Sequence, residues 1–169
     1  MPYIDQFDGL LRAQDNDRRV QNIWTMAVFT DGLVICAVGV NGIWLVSDAA
    51  LPRFGALGAL LLALIRPGQR AVRGHRQKAI RKRALHLGPN DTAAAFARTR
   101  RKALAIPFAD VTGIALTRTR EGKQLVVHAI SPSTGREQAY PYRSDLPAGR
   151  VREVLGPLIG ARLTIGAQA

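Results

Sequence analysis

Three histidines, one cysteine and twelve acidic side chains are the groups of this chain that could do acid–base, nucleophilic or metal chemistry. Their spacing argues against each. His75, His86 and His128 stand far apart, with no cysteine or carboxylate at ligand spacing, so no zinc site is expected. Gly39-Val40-Asn41-Gly42 is not a phosphate loop, and no glycine-rich segment ends in Lys-Ser or Lys-Thr. No serine has the setting of a nucleophile elbow. Asp31, Asp48, Asp110 and Glu153 could pair as acid and base, but turn and cap positions explain them better. The chain reads as non-catalytic, without cofactor or metal.

The chemistry that remains is charge. Lys and Arg total 24 against 12 acidic residues, a formal charge of +12, and the pI is near 11.3. Such an excess repels itself unless an anionic partner is close. Eight of the cations crowd one stretch: Arg66, Arg70, Arg73, Arg76, Lys78, Arg81, Lys82 and Arg83. Arg98, Arg100, Arg101 and Lys102 follow as a second group. Immediately before them runs Phe54 to Ile65, whose Phe54, Leu57, Leu60, Leu61 and Leu64 are the expected apolar docking residues. Apolar area beside cations is what an amphipathic contact with an anionic membrane surface needs, at about 1 kcal/mol per Lys or Arg near the headgroups. Nucleic acid is the rival partner, since the same arginines could neutralise phosphates. Only Phe96 lies among them as an aromatic for base stacking, which weakens that alternative.

The elements that position these residues follow from periodicity. Ile23 to Phe29 and Leu33 to Val38 are rich in strand formers and flank Thr30-Asp31-Gly32, a hairpin signal. Asn41-Gly42 supplies a further turn before Ile43-Trp44-Leu45-Val46. A transmembrane hairpin over 23–65, with basic flanks on both sides, is the alternative. Asp31 and three glycines in its first limb argue for strands instead. A helix over the twelve residues 54–65 is about 18 Å long, short of the roughly 30 Å hydrocarbon core. It suits a core, a membrane interface or a homodimer contact.

Arg66-Pro67-Gly68 breaks the chain before an amphipathic helix that Gly88-Pro89 stops, with Ala71, Val72, Ala79, Ile80, Ala84, Leu85 and Leu87 as its narrow apolar stripe. Asn90 or Asp91 is expected to cap a short helix from Thr92 to Arg98. Val111 to Thr117, Leu125 to Ile130 and Glu137 to Tyr142 read as strands, and Ser144 or Asp145 as the cap of a closing helix to about Leu158. Cys36, inside an apolar run, is expected as a small buried hydrophobe. No secretory signal precedes the first strand, so a cytoplasmic place at the inner face of the membrane is expected.

Phe29-Thr30-Asp31-Gly32-Leu33-Val34-Ile35 resembles the LTDxRLIFI hairpin of bacterial pleckstrin-homology-like (PH-like) domains. Ala105-Ile106-Pro107-Phe108-Ala109-Asp110-Val111 resembles their IPYxDI segment, and Val151-Arg152-Glu153-Val154-Leu155 their closing helix. The resemblance covers about residues 10 to 160. It implies an α+β fold: an antiparallel β-barrel or sandwich with a C-terminal capping helix. Residues 1–51 would give its first strands, 52–102 a helical insertion, and 103–169 the remaining strands and cap of the same domain. Classical phosphoinositide-binding members carry Lys and Arg in the first hairpin loop. Here that loop is the acidic Thr30-Asp31-Gly32, so inositol phosphate recognition is not implied, and the fold by itself selects no function.

Overall fold

Alternation of apolar and polar side chains builds the second half of the sheet. In β5 (Val111–Thr119), Val111, Ile114 and Leu116 point inward; in β6 (Gly122–Ile130), Leu125, Val127 and Ala129 do; in β7 (Glu137–Arg143), Tyr140 and Tyr142 do. The register stacks them across strands, Leu116 against Leu125 and Leu125 against Tyr142, so one face becomes a continuous apolar row. The structure, a computed structural model, describes residues 3–12, 21–41, 68, 71–87, 92–100, 103–120, 122–131 and 133–166.

The first half is made of β1 (Tyr3–Arg12), β2 (Gln21–Phe29), β3 (Gly32–Asn41) and β4 (Ala103–Pro107). β1 joins the halves: it pairs with β2 along its length and with β7 at its end, Leu11 opposite Arg143 and Arg12 opposite Tyr142. The eight-stranded sheet has the order β4-β3-β2-β1-β7-β6-β5-β8, where β8 (Leu163–Ile165) is the one parallel neighbour, beside β5. Among the described residues every other pairing is antiparallel. Gly32 lets β3 and β4 approach closely, since a Cβ there would lie 2.6 Å from the Ile106 carbonyl oxygen.

Three α-helices, α1 over 71–85, α2 (Ala93–Arg98) and α3 (Ala148–Ile159), and a 3-10 turn at Gly160–Arg162 complete the described fold. α3 buries Val151, Leu155 and Ile159, spaced to fall on one helical face, over an inner core that includes Phe7, Leu10, Met26, Leu33, Ile35, Leu125 and Val127. Its cap corrects the sequence expectation. Neither Ser144 nor Asp145 caps α3; Pro147 does, with extended backbone and no side-chain bond, and the Ser144 amide instead donates to the Lys123 carbonyl. The N-cap falls three residues beyond Ser144, whose Oγ is buried without a hydrogen-bond partner.

A second apolar cluster lies on the other side of β1 to β4. Tyr3, Phe29, Val34, Cys36 and Val38 from the strands meet Ile80 and Ala84 of α1 and Ala93 and Phe96 of α2. β2 and β3 are therefore covered on both faces. Residues 23–41, the described part of the first limb of the transmembrane alternative, lie in these two strands and the turn joining them. Among the described residues no helix is long and apolar enough to cross a membrane. The expected strand at 43–46 and the apolar run 54–65 lie outside the described residues.

Candidate anion-binding surface

α1 carries most of the described part of the surface. Ile80 and Ala84 are buried and Leu87 is partly buried against the outer cluster, a spacing of four and three residues that defines one face. The opposite side presents His75, Lys78 and Lys82 to solvent, with Arg81 exposed beside them. Arg81, Lys82 and Arg83 fall near the C-terminal end of the helix, where the backbone carbonyls favour cations. There the His86 amide donates to the Arg83 carbonyl at 3.1 Å. The Nδ1 of His86 donates to the Lys82 carbonyl at 2.6 Å, which fixes its proton on that nitrogen.

The expected apolar stripe of this helix needs correction. Val72 and Leu85 are exposed, at 52% and 45%, because the face that meets the sheet is centred on Ile80 and Ala84. The stripe that remains packs on β1 to β3 and is not available to a bilayer while α1 stays docked. What α1 offers a partner is charge, with Leu85 as an isolated apolar contact between the cations.

α2 is pinned at its start and its end. Thr92 is the N-cap, its Oγ1 accepting from the Ala95 amide at 3.1 Å, in place of the expected Asn90 or Asp91, which lie outside the described residues. The Asp31 carboxylate accepts from the Ala93 amide at 3.0 and 3.1 Å. The acidic hairpin loop thus anchors the insertion to the sheet, a role that no local sequence signal announces. Phe96 packs against Phe29 at 5.2 Å between ring centroids. The Arg100 guanidinium lies 5.6 Å from the Phe96 centroid, and its Nη2 donates to the Ala79 carbonyl of α1 at 3.4 Å.

Of the cations expected on this surface, Arg76, Lys78, Arg81, Lys82, Arg83 and Arg98 are exposed, while Arg73 and Arg100 are half-buried. Arg66, Arg70, Arg101 and Lys102 lie outside the described residues, as do the apolar docking residues Phe54, Leu57, Leu60, Leu61 and Leu64. The homodimer contact expected through that apolar run lies there too. A basic group not singled out from sequence sits at the β5–β6 hairpin, where Arg118 and Lys123 are direct cross-strand partners. Like charges opposite each other destabilise a strand pair. The sequence signal was the charged turn itself.

Burial pushes the Cys36 thiol up to about 11, only partly offset by Arg100, so at neutral pH it is a protonated packing group. Among the described residues no three His, Cys, Asp or Glu side chains gather as metal ligands. No protein-family model matches the chain, and no curated protein matches it. The fold defines the class: an α+β domain whose open, mostly antiparallel sheet carries a cationic helical insertion on one outer face.

Proposed function

We propose that this protein is a non-catalytic PH-like module that attaches to an anionic membrane surface through the cationic side of its insertion. The observation that carries the reading is the division of labour in α1. Its apolar face is held by the sheet, which fixes the direction in which Lys78, Arg81 and Lys82 project. Cations presented as a rigid array bind a charged plane with less loss of conformational freedom than cations on a free tail. Seven antiparallel strands closed by α3 over the inner core support the PH-like part of the reading.

The test is co-sedimentation with anionic and zwitterionic vesicles. Replacing Arg76, Lys78, Arg81, Lys82 and Arg83 by Gln should abolish binding to the anionic set and leave the fold intact by circular dichroism. Unchanged binding by that folded variant would overturn the proposal. Duplex DNA titrated at two salt concentrations separates the nucleic-acid alternative, whose affinity falls steeply as salt rises.

A further inference from the structure

Arg100 crosses the seam between α1 and the exit of α2, on the side of α1 that carries Arg76 and Arg83. Arg76 and Arg83 are i and i+7 on α1, which places them on the same side of the helix, two turns apart. Arg100 reaches that helix from the end of α2, its Nη2 donating to the Ala79 carbonyl. In an α-helix the carbonyl of residue 79 is the acceptor for the amide of residue 83. The Arg100 guanidinium is therefore held within one helical turn of Arg83. Arg76 is held as well, its Nη1 donating to the Val38 carbonyl at 3.2 Å.

Carbonyls hold Arg76 and Arg100, the latter also over the Phe96 ring, and among the described residues no carboxylate pairs with Arg83 or Arg100. The ion pairs of Arg150 with Asp5 and of His128 with Glu137 lie elsewhere. The Nε of Arg100 is buried without an acceptor. Burial, and next the charge of Arg83, pull the pKa of Arg100 below its usual range. Two guanidiniums brought together with one partly desolvated is an unfavourable arrangement that an anion between them would relieve.

We propose that this seam binds a terminal phosphate group, a phosphomonoester dianion, between Arg83 and Arg100, with Arg76 at its edge. A phosphomonoester offers three terminal oxygens and up to two charges, which matches two or three planar forks of donors. A phosphodiester offers two such oxygens and one charge. Lys78 and Lys82, on the opposite side of α1, are exposed, have no comparable anchoring among the described residues and serve as unselective cations. The inference rests on the membrane reading above and narrows it to a headgroup ending in phosphate.

The experiment compares vesicles of equal surface charge containing either phosphatidic acid, a phosphomonoester, or phosphatidylglycerol, a phosphodiester. Wild type should prefer phosphatidic acid by about tenfold, the scale of one added charge-assisted bond. The double variant R83K/R100K keeps both charges and loses the forks. It should lose the preference for phosphatidic acid while keeping the circular dichroism spectrum of wild type. K78Q/K82Q should weaken both bindings equally and keep the ratio. Glycerol 3-phosphate in solution carries the same group without a bilayer and should not displace the protein; full displacement would overturn the headgroup assignment in favour of a soluble ligand. A preference that survives in R83K/R100K, or wild type without one, overturns the seam as a site. Wild type that binds neither vesicle overturns the membrane reading itself.

Discussion

β3 and β6 belong to the same sheet and read very differently in sequence, because one is covered on two faces and the other on one. Leu33, Val34, Ile35 and Cys36 of β3 are all at or below 2% exposure, alternately facing the inner core and the α1–α2 layer. In β6, buried Leu125, Val127 and Ala129 alternate with partly exposed Val126 and His128. Strands buried on both faces become continuous apolar runs. The described part of the stretch that hydropathy offers as a membrane span, residues 23–41, is thus the hairpin that the cationic insertion covers. The grease under the insertion and the charge on top of it are two sides of one device.

The largest test of this contrast is on the inner face. Phe7→Ala, at a fully buried position that both halves depend on, should destabilise the protein by about 3–5 kcal/mol in urea unfolding. Phe96→Ala, on the outer face, should cost about 3 kcal/mol. That loss is limited because α1 and α2 can undock without opening the inner core. Hydrogen exchange should show protection lost over 92–100 and kept in β5 to β7; uniform loss would mean that the two layers are one cooperative unit.

Alkaline pH separates the layers by a different property. Burial raises the Cys36 thiol of the outer layer from 9.0 to about 11. It raises the Tyr142 hydroxyl of the inner layer from 10.0 to about 12, with Arg12 opposing. Groups whose folded pKa lies above the unfolded value favour folding below the unfolded pKa and lose that contribution as pH climbs to the folded one. Stability should hold to about pH 9 and decline between about 9 and 12. Cys36→Ala should delay the onset to about pH 10, leaving the Tyr142 part. An unchanged onset in that variant would remove the thiol from the account.

The smallest effect concerns the link between the layers. Asp31→Ala removes the carboxylate that holds the start of α2 and should cost about 1 kcal/mol, the usual value of a lost cap. The amide of Ala93 should then exchange faster while the inner strands do not change.

Periodicity made β2, β3, the strands from β5 to β7, and the extents of α1 and α3 legible. β1 was not, because Gly9, at φ 76, sits in a register shift between Phe7 and Leu10 that breaks the alternation of inward residues. β8 is only three residues long and is set by its place beside β5. The density of cations on the insertion was evident from composition and spacing. Which of them stand together was not: Arg100 reaches α1 because Phe96 seats α2 on the sheet beside it, a contact between residues distant in sequence. The helical stripe was half readable, since Ile80, Val72 and Leu85 are equally apolar and only the sheet decides which is buried.

The most direct measurement places a polarity-sensitive fluorophore at Lys82→Cys in a Cys36→Ala background, with Arg136→Cys, in the β6–β7 turn, as the reference position. On adding anionic vesicles the label at 82 should shift to the blue and become accessible to quenchers at headgroup depth, while the label at 136 does not respond. An equal response at both positions, or a response at 136 alone, would contradict the claim that the cationic side of α1 faces the membrane.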